Sequence, residues 1–182
     1  WELIEPEEGR YDFSTVDYLL KSARANGQKL ILLWFGSWKN SMSCYAPSWV
    51  KRGFNSEFEL AANSDGSIPE IMSAFSERNV RADAKAFASL MKYIRKADGS
   101  EGTVIMVQVE NEIGMLGDAR DHSKLAQNAY NSPVPYDMMY MLTSGKANDH
   151  INDVWKAAGK ATTGSWKEVF GSSLEADEIF MA

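Results

Sequence analysis

The segment Val107-Gln-Val-Glu-Asn-Glu-Ile-Gly114 holds the residue types with the clearest chemical potential. Glycoside hydrolysis needs a carboxylic acid that protonates the leaving oxygen, and hydrogen bonds near the sugar 2-hydroxyl that strengthen in the transition state. Glu112 and Asn111 are the right types for those two tasks. An apolar run from Thr103 to Val109 leads directly into them. Its alternation predicts a strand with Ile105, Val107 and Val109 on one face and Met106, Gln108 and Glu110 on the other. A barrel strand with its β-branched side toward helices and a partly polar side toward the lumen has this pattern. Without its neighbours, the same pair is equally a structural asparagine and a solvated glutamate at a strand end.

A second group of candidates lies around the end of another apolar run, Lys29-Leu-Ile-Leu-Leu-Trp-Phe35. Aromatic faces stack on the C–H faces of sugars while polar neighbours reach the hydroxyls. Trp34 and Trp38, with Lys39 and Asn40, are therefore candidate substrate-binding residues; Trp34 also reads as a core aromatic. Tyr45 is a further cleft candidate, and Trp49 in Pro-Ser-Trp-Val reads as a loop anchor. Glu110 could approach a substrate only from the same wall as Glu112, so structural hydrogen bonds are expected of it. Cys44 has no basic partner nearby in sequence and is expected to be inert. The charges of Asp118-Ala-Arg-Asp121 are expected to form a solvated loop.

The elements that would carry these residues are legible in outline. Ser14 with Asp17 three residues on suggests a capped helix start, Val16, Leu19, Leu20 and Ala23 follow helical spacing, and Asn26-Gly27 stops it. The unbroken apolar run up to Phe35 fits a parallel strand buried on both faces. From Gly36 to about Arg78 the chain reads as irregular, and long irregular stretches inside compact domains are commonly functional. Residues 80–97 form the clearest helix, with Val80, Ala84, Phe87, Met91 and Ile94 on one face and Asp98-Gly99 as its end. Weaker helical signals follow at 148–158 and 175–182. Strands alternating with amphipathic helices imply an α/β fold with a parallel sheet. Long loops after the strands suit a barrel, whose site is built there, although a doubly wound sheet shares the feature.

Composition narrows the function classes. A length of 182 residues suits one sizeable core, read here as a single domain over 1–182. A net charge of −6 and the lack of basic runs argue against nucleic acid as a partner. The single cysteine excludes an internal disulfide, and the two histidines, His122 and His150, lack metal-ligand spacing, so no metal site is expected. No apolar run approaches the ~18 residues of a membrane-spanning helix. The chain opens on Trp1 and closes on Ile179-Phe-Met-Ala182 in an expected helix, so both ends read as cut from a longer protein.

Three blocks resemble glycoside hydrolase family 35, the β-galactosidases of the large retaining barrel clan: Trp1-Glu-Leu-Ile-Glu-Pro-Glu-Glu-Gly-Arg-Tyr-Asp-Phe13, Gly27-Gln-Lys-Leu-Ile-Leu-Leu33 and Val107 to Gly114. Trp34-Phe-Gly-Ser-Trp-Lys-Asn40 with Tyr45-Ala-Pro-Ser-Trp-Val50 resembles a bacterial branch related to enzymes that trim galactose from plant polysaccharides. The resemblance implies a partial (β/α)8 barrel, from the end of strand 2 at Trp1 through the helix after strand 4. It implies Glu112 as acid/base, Asn111 as a sugar contact, and a nucleophilic glutamate near strand 7, outside these residues. It further implies a β-galactoside substrate, no cofactor, and an address compatible with secretion or the periplasm. Two alternatives remain at this point: another retaining β-glycosidase of the clan, including a galactosidase of a neighbouring family, or a non-catalytic carbohydrate-binding piece.

Overall fold

The computed structural model describes residues 1–39, 44–111, 114–115 and 117–181, with the backbone alone for Trp38 and Lys39. The chain divides into two compact units, Trp1–Ala61 with Ile68–Ile113, and Ala62–Ser67 with Gly114–Ala182.

The first unit is α/β. Helix α1, Ser14–Ala25, buries Val16, Leu20 and Ala23. Its start differs from expectation: Ser14 is inside the helix, and its N–H donates to Oδ1 of Asp12 at 2.9 Å. Phe13 is the residue at the N-cap position, and the Asp12 side chain satisfies the first orphan N–H of the helix, that of Ser14. The stop at Asn26-Gly27 is as expected, with Gly27 at φ 63°, a conformation glycine adopts without a Cβ clash. Strands β1, Leu30–Lys39, and β2, Val104–Asn111, pair in parallel. Between them run the short helix α2, Ser48–Lys51, and the long helix α3, Glu77–Asp98.

Two irregularities shape the pairing. Leu30 pairs with Val104 but Ile31 with Met106, so β2 carries an extra residue at Ile105. The expected single face of Ile105, Val107 and Val109 is therefore broken: Val104 and Val107 reach the core, while Ile105 is 60% exposed. The second irregularity lies between Trp34↔Val109 and Lys39↔Asn111, where β1 is the longer side.

Helix α3 also turns differently from its apolar pattern. Its buried residues are Asn79, Ala82, Asp83, Ala86, Leu90 and Asp98, whereas Val80 is half-exposed and Ala84 is exposed. Two polar side chains set this rotation. Asn79 donates from Nδ2 to the carbonyls of Glu59 (2.8 Å) and Ser73 (2.9 Å), and Asp83 is bonded to β1. Buried polar groups must find partners, so they outweigh a marginal apolar preference for the neighbouring stripe. The core of this unit gathers Trp1, Ile4, Leu20, Trp34, Val50, Phe58, Met72 and Leu90. By contrast Ile31, Leu33, Met106 and Val109 are each more than half exposed.

The starts of the strands are fixed by one buried carboxylate. Asp98 accepts from Arg24 Nη2 at 2.6 Å and from the Val104 N–H at 2.7 Å, and Arg24 Nε donates to Thr103 Oγ1 at 3.0 Å. Burial disfavours the charged form, but the hydrogen bonds from Thr103, Val104 and Arg24 outweigh it and hold the carboxyl well below the usual carboxylate range.

The second unit is helical: α4 Lys124–Asn131, α5 Tyr136–Thr143, α6 Asp149–Ala157, α7 Trp166–Phe170 and α8 Leu174–Met181. Val134, Leu142, Trp155, Val169, Phe170 and Ile179 form its core. The 118–121 segment is not a solvated loop. Arg120 is 8% exposed, stacks over the Tyr130 ring at 4.1 Å and pairs with Asp177 at 3.1 Å. Asp121 is fully buried and accepts from the N–H groups of Ala62 and Ser123. Asp118 accepts from the Ser64 N–H at 2.7 Å and faces His122; against the effect of burial, these contacts hold its carboxyl at about 2.

Because the native pKa of Asp98 is depressed, its stabilisation is fully present above the unfolded value of about 4 and is lost as pH falls toward the native one. Asp98→Asn should cost about 2 kcal/mol at neutral pH, and the gap to the parent should narrow in urea titrations repeated below about pH 4.

Candidate active site

The ends of β1 and β2 meet around a glycine. A Cβ on Gly36 would lie 2.2 and 2.4 Å from the carboxylate oxygens of Asp83 and 2.4 Å from Oε1 of Glu110. Only a residue without a side chain lets these two carboxylates converge on the β1 backbone. Each is held by donors. Asp83 accepts from Trp34 Nε1 (2.8 Å), the Ser37 N–H (2.7 Å) and Ser37 Oγ (2.7 Å), and Oε2 of Glu110 accepts from the Gly36 N–H at 3.3 Å. Hydrogen-bond donors aimed at the charged form offset the repulsion between like charges. Glu110 thus lies against β1, consistent with the structural role expected of it.

Glu110 also has φ 59°, the left-handed region that non-glycine residues seldom adopt. Such outliers concentrate at functional sites, where neighbouring contacts hold them in place. Here the contacts are specific. Nε2 of Gln108 donates to the carbonyl of Glu110 at 3.3 Å and to Oδ1 of Asn111 at 2.7 Å. Asn111 is the last residue of β2 and pairs with Lys39 of β1.

The six candidate residues therefore separate. Asn111 is at the strand end, half-buried, with its side-chain amide oriented by Gln108. Trp34 is not on a cleft wall: it is 3% exposed, with its ring 5.6 Å from that of Phe87 on α3 and its N–H on Asp83. Strand alternation is the reason, since Trp34 shares the helix-facing side. Trp38 and Lys39 are placed as strand backbone, and Asn40 and Glu112 lie outside the described residues.

Several residues that position this region were missed in the sequence: Gly36, Ser37 and Asp83. Asp83 had a usable signal, an acid three to four residues from Val80 and Phe87 on the helix stripe. Nothing local marked Gly36. Around the site, Trp49 is the anchor expected, donating to the Glu5 carbonyl at 3.1 Å and packing edge-on to Trp1 at 6.0 Å. Glu5 is buried and accepts from Trp1 Nε1 and the Gly9 N–H. Tyr45 packs on Phe35 with ring centroids 4.8 Å apart. Burial pushes the Cys44 thiol up, which keeps it protonated.

Comparison with known proteins decides the family. The glycoside hydrolase 42 profile, described as beta-galactosidase, matches residues 1–170. The chain belongs to glycoside hydrolase family 42. Family 35, expected from the short blocks, is corrected by this match. The family 35 resemblance rested on short blocks, so the match over 1–170 takes precedence. A curated Beta-galactosidase from Xanthomonas manihotis is 29% identical over 154 residues, covering 81% of this chain and 23% of that protein. A solved catalytic mutant of a family 42 beta-galactosidase from G. stearothermophilus superposes with a TM-score of 0.54 at 19% identity, covering 94% of this chain and 22% of that one. The chain thus spans less than a quarter of the length of either of these two proteins.

Two substitutions test this geometry. Gly36→Ala forces apart the carboxylates of Asp83 and Glu110 and should cost about 1–3 kcal/mol in denaturant unfolding. Trp34→Phe removes one buried hydrogen bond and should cost about 1 kcal/mol while leaving substrate KM unchanged; a raised KM would return Trp34 to the cleft.

Proposed function

We propose that the protein carrying this chain hydrolyses terminal β-galactosyl residues from oligo- or polysaccharides with retention, through a double displacement. The observation that carries this reading is the family 42 match over 1–170, and the position of Asn111 at the end of a parallel strand supports it. In this reading β1 and β2 are strands 3 and 4 of a (β/α)8 barrel whose remaining strands lie outside these residues. The exposed Ile31, Leu33, Met106 and Val109 support it, since apolar strand residues of a barrel are covered by its interior and its outer helices.

Glu112 serves as general acid, delivering a proton to the glycosidic oxygen as the bond to the anomeric carbon breaks. The nucleophilic carboxylate, outside this chain, forms the glycosyl-enzyme. Glu112 then removes a proton from the attacking water, and the same residue ends the cycle protonated. Asn111 donates a hydrogen bond to the sugar near its 2-hydroxyl, where such contacts strengthen in the transition state. Trp38, Lys39 and Asn40 would border the sugar from the loop after strand 3, and galactose side chains of plant polysaccharides are the substrate class that loop is proposed to serve. This acid-assisted chemistry requires no cofactor.

The test is turnover of aryl β-galactosides by the intact protein and its Glu112→Gln variant, which keeps the shape but cannot donate a proton. The rate on a poor leaving group should fall by at least ~100-fold, and far less on a leaving group that departs without protonation. Activity on a different β-glycoside alone would retain the acid assignment and refute the galactoside.

A further inference from the structure

We infer that Gln108 is a positioning residue that fixes which end of the Asn111 amide faces the substrate. This inference rests on the proposed role of Asn111 in binding sugar.

The geometry determines the orientation of both amides. A backbone carbonyl can only accept, so the Gln108 atom 3.3 Å from the Glu110 carbonyl must be the donor Nε2. That same nitrogen is 2.7 Å from the Asn111 side chain and can pair there only with Oδ1. The Nδ2 group of Asn111 is consequently the end of the amide turned away from Gln108. A sugar hydroxyl oxygen meeting Asn111 there meets a donor, not a carbonyl.

The contact itself is unusual for a strand. Residues three apart project to opposite faces of a regular strand and do not meet. Gln108 and Asn111 meet because the backbone turns through φ 59° at Glu110, and the Gln108 amide bonds to both residues of that turn. The side chain of Glu110 secures the turn from the other side through the Gly36 N–H. Gln108 pairs in register with Leu33, and the next pair, Trp34 with Val109, includes the tryptophan packed on α3. Gln108 therefore stands on the face opposite that helix, with an oriented amide that the helix layer does not use. A contacting group held by its own supporting hydrogen bonds loses less freedom when substrate arrives.

The experiment is a double-mutant cycle in the full-length protein, with Gln108→Leu, Asn111→Ala and both together, read as kcat/KM on an aryl β-galactoside and on its 2-deoxy analogue. Leucine has similar bulk and cannot donate. Expected are a ~10-fold loss for Gln108→Leu on the 2-hydroxy substrate, little loss on the 2-deoxy substrate, and no added loss in the Asn111→Ala background. Gln108→Glu, which can only accept, should turn the Asn111 amide over and fail to rescue the loss. Equal losses on both substrates, or full additivity with Asn111→Ala, would overturn the positioning role. If Asn111→Ala itself leaves both substrates unaffected, the sugar-binding role of Asn111 falls instead, a distinct outcome. Circular dichroism and the unfolding midpoint of each variant separate these results from loss of folding.

Discussion

A bare backbone at Gly36 is the constraint on which the strand ends depend. The carboxylates of Asp83 and Glu110 both occupy the space that any side chain there would fill. Through that one position α3, β1 and β2 are joined: Asp83 reaches from the helix to Trp34 and Ser37, while Glu110 reaches from β2 to the Gly36 N–H. Like charges in such proximity are tolerated because each is met by fixed donors. The consequence reaches the site directly, since the left-handed turn at Glu110 is the step from the regular strand to Asn111.

Helix α3 holds the two-stranded sheet at both ends with the same residue type. Asp83 bonds near the strand ends and Asp98 near their starts, where it takes the Val104 N–H and Arg24. Fifteen helical residues separate them, about 22 Å at a rise of about 1.5 Å. The eight residues of β2 cover about 23 Å at about 3.3 Å per step, so helix and strand are matched in length. A helix pinned at both ends has little freedom to slide, and that rigidity is passed to the residues carried at the top of the sheet. The polar network is thus part of how the apolar layer acquires a unique register. The second unit uses the same device, with Arg120 buried between the Tyr130 ring and Asp177.

Much of this was legible in the chain. An unbroken apolar run marked β1, alternation marked β2, and helical spacing with glycine stops marked α1 and α3, because all of these are local properties. Asn111-Glu112 stood out as a candidate pair for the same reason, polar residue types following a strand pattern. The stripe of α3 was misjudged because Asn79 and Asp83 are buried through partners distant in sequence, the Glu59 and Ser73 carbonyls and the groups of β1. The alternation of β2 was misjudged at Ile105 because a register shift is a property of the pair of strands. Helices α2, α4, α5 and α7 were missed; at four to eight residues they have too few turns to display a period.

What the sequence determined by itself was the α/β alternation, the strand that leads to Asn111, and a resemblance to β-galactosidases; these depend on residue type and local order. Only the tertiary structure decided that Trp34 packs on α3, that Gly36 must lack a side chain, that Arg120 and Asp121 are buried, and that Gln108 orients Asn111. Each of those depends on where two segments meet in space, and a linear pattern carries no distance between them.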